Sequence, residues 1–569
     1  MSQASEVGPL EELATPPLDW PGTERYEVVR RIARGGMGSV YEAYDRQRHQ
    51  RVALKTLLYA SPDALFRFKQ EFRTLVDMRH PNLVRFYELV ATEGERVFFS
   101  MELVRGTNFM SYVRKNGITL ERSERADTNL VCRTLERSER ADTNLQRLRS
   151  AFHQLVDGVQ TLHVAHKLHR DLKPSNVLVT EEGRVVILDF GVATDLRQAT
   201  DPSLTEPGGL VGTATYMAPE QGLHDQTTPA SDWYSVGVML YQALVGAPPI
   251  DGTALDVMRL KTKVDPPPPS DRAAGIPEDL DALCLALLDR EPSKRPSGPE
   301  ILQRLHAAPD STNAHGSAAP LSTTVRLVAR EIPLVGRAPQ LFALRDSFEA
   351  SRAGRSITVH VSGRAGMGKS TLAHHFLDSL VQCGDAVVLR GRAYERESVP
   401  YKAVDAAIDA LSRHLMHLSD NEPTLPLPKH MSALARLFPV LRRVPSVAQF
   451  PHEFLSDPQR TRQRGFEALR ELVASLARRQ PLVLFVDDVQ WGDQDSVSLL
   501  VELVRPPFPP PILLVLAHRE EDERTASFLI ELGRRWPAGA ESHRISVGPL
   551  DPPEAKRCAL ALLGDGDEP

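Results

Sequence analysis

Apolar and polar positions follow two regimes along the chain. From about Tyr26 to Leu305 they mix strand and helix periods; from about Ile332 onward, short unbroken apolar runs are separated by helical patterns. The runs Ile357–Ser362, Ala386–Arg390, Leu482–Asp487 and Ile512–Ala517 predict strands buried on both faces, the pattern of a parallel sheet. Between the two regions, Asp310–Thr324 is small, polar and aperiodic, and predicts a linker. Residues 1–25 are acidic and Pro-rich and predict a tail. The organisation expected is a tail at 1–25, a first domain at 26–306, a flexible linker at 307–331, a second domain at 332–548, and the start of a helical region at 549–569.

One segment, TLERSERADTNL, stands at Thr119–Leu130 and again, letter for letter, at Thr134–Leu145. Solenoids need three or more diverged units, so this is read as a local tandem duplication in a surface connection. Extra loop length is cheap, at about 0.6 kcal/mol per doubling.

Composition then narrows the class. The chain has 569 residues, too many for one core, and its net charge is only −6. No domain-scale basic excess points to nucleic acid. Four scattered cysteines, Cys132, Cys284, Cys383 and Cys558, lack metal-ligand or disulfide spacing, which fits a reducing cytoplasm. The N-terminus lacks an apolar run, and no stretch reaches the roughly 20 apolar residues of a membrane span. Neither a membrane nor a nucleic-acid partner is expected.

Moving a γ-phosphoryl group demands positioning and charge neutralisation, and the first domain carries residues suited to both. In ARGGMGSV (Ala33–Val40), Gly35, Gly36 and Gly38 let backbone N–H groups approach phosphates. Lys55 of VALK can hold the α/β-phosphates, and Glu71 on the helical pattern FKQEFRTL can pair with it. In HRDLKPSN, Asp171 would accept the substrate hydroxyl proton, Lys173 would neutralise the moving group, and Asn176 would hold a metal. Asp189 of DFG is the main Mg²⁺ ligand expected.

These motifs, in this order, resemble the bacterial eukaryote-like (Hanks-type) Ser/Thr protein kinases over about Tyr26–Leu305. The resemblance implies a two-lobed α+β fold, ATP and Mg²⁺ as cofactors, and proteins carrying Ser/Thr as substrates. It places Met101 as gatekeeper, the backbones of Glu102 and Val104 against adenine, and Val40, Ala53 and Leu178 around its ring. It pairs Glu220 with Arg295, sets Asp232 beneath the catalytic loop, and stacks Leu75, Phe86, His169 and Phe190. Lys173 and Thr213 point to Ser/Thr rather than Tyr. Arg170 before Asp171 implies activation by autophosphorylation, with Thr200, Ser203 and Thr205 as candidate acceptors, because a phosphate can pair with that arginine. One departure is Ala33, where the family has glycine; a positive φ there would cost about 1 kcal/mol.

A second nucleotide site is expected at GRAGMGKS (Gly363–Ser370), between the strand ITVHVSG and the helical pattern TLAHHFLDSL. Strand, glycine loop and helix are the setting a P-loop requires. Gly363, Gly366, Gly368, Lys369, Ser370 and Thr371 are the nucleotide-binding candidates, with Ser370 also offering a hydroxyl to Mg²⁺. The apolar run PLVLFVDDVQW ends in two carboxylates, of which Asp487 can hold Mg²⁺ and Asp488 can polarise the attacking water. Arg519, after the run ILLVLAH, is a candidate γ-phosphate sensor.

LVGR (Leu334–Arg337), RGRAYERESVPY, FVDDVQWGDQDSVSLL and AHREE together resemble STAND-class, AAA-related signalling ATPases over about Ile332–Gly548. That resemblance implies an α/β P-loop domain switching slowly between ADP and ATP states to control an effector on the same chain. It also implies a helical lid and repeats beyond the core, so the chain is expected to be shortened at its C-terminus. The alternative to a kinase with an ATP-driven regulatory module is a pseudokinase scaffold whose only active nucleotide site is the C-terminal one. A DNA-linked or translocating ATPase is a third reading, unsupported by any helix-turn-helix pattern or basic patch.

Overall fold

A computed structural model of the chain describes residues 20–34, 38–57, 61–92, 96–114, 144–189, 194–195, 214–222, 227–306, 334–421, 426–451 and 457–563. The predicted linker and residues 1–19 of the predicted tail therefore lie outside the described residues, as does the duplicated segment apart from Asn144 and Leu145. The end of the predicted tail belongs instead to the first domain: Trp20 is buried against Tyr41 and Phe98, and Arg25 pairs with Asp45 at 2.9 Å.

The first domain opens with five antiparallel strands: β1 (Tyr26–Arg34), β2 (Gly38–Asp45), β3 (Gln50–Leu57), β4 (Phe86–Ala91) and β5 (Val97–Glu102). Their order is β1-β2-β3-β5-β4. Helix α1 (Pro62–Leu75) runs between β3 and β4. Ser61 caps it by accepting the Ala64 N–H at 3.1 Å, and Pro62 follows at the first helical position, where a missing N–H costs nothing. Phe68, Phe72 and Leu75 bury one side of α1 in the first domain's main core. A helical lobe follows, built on Leu145–Val164, Pro229–Val245, Glu278–Leu287 and Gly298–His306. Short strands Val177–Val179 and Val185–Ile187 close the catalytic loop against it.

The second domain is a five-stranded sheet, parallel throughout, in the order 387–392, 482–487, 512–519, 357–363, 541–546. Alternate side chains feed two cores. Ile512, Leu514 and Leu516 face one, and Leu513, Val515 and Ala517 the other. That explains why the predicted strands read as unbroken apolar runs. The strand Glu541–Ser546 (ESHRIS) was not expected: it lies at the sheet edge, only Ile545 of its six residues is buried, and its pattern is correspondingly polar.

The two domains share structure. Glu397–Ser398 of the second domain pairs in parallel with β4, Glu397 opposite Leu89 and Ser398 opposite Val90. The N–H of Leu89 donates to the carbonyl of Arg396 at 2.9 Å, so a sheet edge of the first domain is covered by the second. Val399 packs into the first domain's core and Phe66 of α1 into the second domain's.

Candidate active site and second nucleotide site

The strand β3 carries Lys55 toward α1, whose Glu71 accepts from the Lys55 ammonium at 2.7 Å. Asp189 accepts from the same ammonium at 2.7 Å. Burial opposes the charge on Lys55, but Glu71 and Asp189 outweigh it and hold the ammonium above its ordinary value. Burial likewise works to raise Asp189, and the Lys55 charge holds it below the usual carboxylate range. A carboxylate kept ionised in a half-open site is a suitable metal ligand.

In the catalytic loop, Asp171 Oδ2 accepts from Lys173 Nζ at 2.8 Å and from Asn176 Nδ2 at 3.1 Å. Asn176 also donates to the Asp171 carbonyl at 2.9 Å. Asp171 Oδ1 is buried without a hydrogen-bond partner, an acceptor left for a donor from outside the chain. Asp232 accounts for the loop's shape: it accepts the N–H groups of His169 at 2.9 Å and Arg170 at 2.8 Å, and lies 2.9 Å from His163 Nε2. Arg170 and Asp189 both adopt positive φ, 65° and 49°, conformations that non-glycine residues hold only when surroundings impose them. Glu220 and Arg295 form the expected pair, at 2.7 and 2.9 Å.

Leu75, Phe86 and His169 are all buried, His169 with Nε2 3.0 Å from the Leu188 carbonyl. Phe190, Gly35, Gly36, Thr200, Ser203, Thr205 and Thr213 lie outside the described residues. Ala33 is paired with Val40 in the β1–β2 ladder and does not have positive φ, so the penalty considered for a side chain there does not arise. Gly38 approaches β3 closely: a Cβ on it would stand 1.9 Å from the Thr56 carbonyl oxygen. Ala53 is opposite Met101 across β3 and β5, and Met101, Glu102, Val104 and Leu178 are part-buried.

In the second domain, the strand Ile357–Gly363 leads into the loop and the helix Lys369–Gln382. Gly366 and Gly368 have φ of 78° and 87° with open space where a Cβ would stand. The Lys369 ammonium donates to the carbonyls of Gly363 at 2.8 Å and Arg364 at 2.9 Å, and burial lowers its pKa. Ser370 hydrogen-bonds Asp487, whose carboxyl is raised first by burial and then by the neighbouring Asp488 charge. A desolvated carboxylate beside a second one and a hydroxyl fits a divalent cation, which would relieve both penalties. Magnesium needs only one or two such ligands when phosphates supply the rest. The loop N–H of Ala365 donates to Glu521 at 3.1 Å, so this backbone already accommodates an anionic oxygen. Thr371 follows in the helix, and the Arg519 guanidinium lies 6.0 Å from the Trp491 ring.

Asp488 has a partner that motif reading does not supply. Its Oδ2 accepts from Arg392 Nε at 3.0 Å, and its Oδ1 from Gln490 at 3.0 Å. The same Arg392 donates to Asp77, just past α1, at 2.6 Å. Lys69 and Arg73 of α1 were also missed. They are like charges four residues apart on a helix with no acid placed to answer both, which is the one local sign of an external partner.

A buried lysine paired with Glu71 and Asp189, and Asp171 held by Lys173 and Asn176, stand on a two-lobed frame that is the arrangement of a protein kinase domain, followed by a glycine-loop α/β domain. Residues 26–306 match the protein kinase domain family and 333–515 the AAA ATPase domain family. The Ser/Thr-protein kinase PknA of Mycobacterium tuberculosis is 33% identical over 325 residues, covering 54% of this chain and 69% of the relative. PknA of Mycobacterium bovis matches equally, and PknB of Mycobacterium leprae is 31% identical over 283 residues, covering 48% and 41%. The chain belongs to the Ser/Thr protein kinase family. It carries an AAA ATPase domain behind its kinase domain.

Among the described residues, no helix is long and apolar enough to cross a membrane.

Proposed function

We propose that this chain phosphorylates Ser and Thr hydroxyls of proteins, itself included, and that its C-terminal domain is an ATP-dependent switch acting on the kinase. The observation that carries the first half is Asp171, one oxygen held by Lys173 and Asn176 and the other without a partner in the chain. In this reading Oδ1 takes the hydroxyl proton as the oxygen attacks, and Lys173 offsets the charge developing beside it. Lys55 holds phosphate oxygens while Glu71 holds Lys55. Asp189 and Asn176 would hold Mg²⁺, which when bound neutralises charge on the phosphates. A scaffold without transfer activity would have no need of a complete set of these groups.

The second half rests on direct contact between the domains. Lys369, Ser370 and Asp487 surround the loop where nucleotide would sit, and Asp488 is joined through Arg392 to the kinase domain. Incubating the full chain with Mg·ATP and mapping phosphosites by mass spectrometry tests the reading. Incorporation in the wild type, including within residues 196–213, and its absence in Asp171→Asn are expected. Equal incorporation in both proteins would overturn the assignment.

A further inference from the structure

Helix α1 presents two faces to two different domains. Glu71 looks to Lys55 in its own domain, at 2.7 Å. Two residues away on either side, Lys69 and Arg73 reach into the second domain. Lys69 donates to Asp405 at 2.7 Å and Asp409 at 3.0 Å. Arg73 donates to Glu397 at 2.6 and 3.2 Å, to Asp405 at 2.6 Å and to Asp409 at 2.7 Å. All five side chains lie in residues less than 9% exposed, so the cluster is shut away from water. Buried charges are tolerated only when paired and hydrogen-bonded, and breaking one side of such a cluster strands the other.

The rest of the junction grips the same helix at both ends. Near its start, Asp63 pairs with Arg443 at 2.5 Å, and the Arg443 guanidinium stacks 4.0 Å from the Phe66 ring. Just beyond its end, Asp77 pairs with Arg392, whose other contact is Asp488 beside the second nucleotide site. The added strand at β4 fixes the junction's register through backbone bonds.

We infer that the 392–409 surface of the ATPase domain is the docking partner that holds α1 with Glu71 against Lys55, and that Arg392 links this hold to the second nucleotide site. The inference rests on the switch reading above and names its route. Lys69 and Arg73 act as positioning residues, through Glu71 and Lys55, since neither touches the reacting groups. Protein kinases need the lysine–glutamate pair in place for transfer, so a helix clamped from behind is a natural control point. Arg392 has two carboxylate partners in two domains. Any nucleotide or metal that redraws the charge at Asp488 changes how firmly Arg392 can serve Asp77.

The test uses the full chain, measuring phosphorylation of a generic protein substrate against ATP concentration. Lys369→Ala is expected to change kinase kcat/KM by about fivefold or more, and by less than about twofold when combined with Arg392→Gln. A similar change in both backgrounds overturns the Arg392 link while leaving the switch intact. A silent Lys369→Ala in the Arg392 background of the wild type overturns the switch and this link together. For the clamp, Arg73→Met is expected to raise the KM for ATP about fivefold or more, with Arg73→Lys intermediate because lysine keeps the charge but not the two-bonded fork. Mere loss of folded protein would lower kcat at constant KM. If Arg73→Met does not fold, Asp77→Asn on the exposed rim replaces it, with a rise in the KM for ATP again expected. An unchanged KM in the folded variant overturns the clamp.

Discussion

Arg73 of the kinase domain and Glu397 of the ATPase domain form a two-bonded ion pair, at 2.6 and 3.2 Å, across 324 residues of chain. Both are buried. The pair joins the helix that carries Glu71 to the segment that extends the β4 edge, so kinase geometry and ATPase position are one packing problem.

Asp171→Asn is expected to reduce phosphoryl transfer by roughly 10²-fold or more, the scale of a positioned acid–base group. ATP affinity should persist, because the phosphates are assigned to Lys55 rather than Asp171. Parallel measurements of transfer and of fluorescent-nucleotide binding check both parts, in a background of Lys369→Ala so that only the kinase site binds.

Asp487→Asn should lower ATP hydrolysis about tenfold or more, since the negative charge expected to hold the metal is lost while Ser370 keeps only a neutral partner. Phosphate release from a chain already bearing Asp171→Asn isolates this activity from the kinase. Undiminished release would exclude Asp487 from the reaction.

Glu220→Gln should destabilise the kinase domain by about 3–5 kcal/mol, because it strands the buried Arg295 guanidinium. Burial acts to raise the Glu220 carboxyl, but the hydrogen bond and charge of Arg295 outweigh it and hold it below the ordinary value. A depressed carboxyl contributes stability that is present above the ordinary carboxylate range and is lost as pH falls through the lower folded value. Thermal midpoints of wild type and variant should therefore converge as pH drops from 7 toward 3. A constant gap would mean that ionisation of Glu220 is not what stabilises.

Deleting residues 131–145, the second copy of the duplication with its spacer, should leave folding and kinase rate almost unchanged. The helix Leu145–Val164 is capped by Asn144, whose side chain accepts the Arg147 N–H at 3.0 Å. After deletion, Asn129 and Leu130 stand before Gln146 in the same local sequence, so the cap is restored by the first copy. Thermal melting and a kinase assay decide it; a large loss in either would show that the duplicated copy packs against the domain.

Chemistry that depends on neighbours in sequence is legible in the sequence itself. HRDLKPSN and GRAGMGKS carry their groups on single loops, so spacing alone predicts which side chains converge. Two distant pairs, Lys55 with Glu71, expected from the helical pattern, and Glu220 with Arg295, expected from the family resemblance, are likewise formed. The parallel sheet was legible because strands buried on both faces must be apolar at every position, and the edge strand Glu541–Ser546 escaped because one buried residue makes no pattern.

The junction was decided by tertiary structure alone. Lys69 meets Asp405 across 336 residues; the like charges on α1 hint at a partner, but nothing in either local sequence says which carboxylates answer them. The pairing of Glu397–Ser398 with β4 is equally silent, since backbone hydrogen bonds carry no side-chain signature. Motifs report what a short stretch of chain must do to bind phosphate; which domain leans on which helix depends on the complementarity of whole surfaces, and that exists only once both domains have folded.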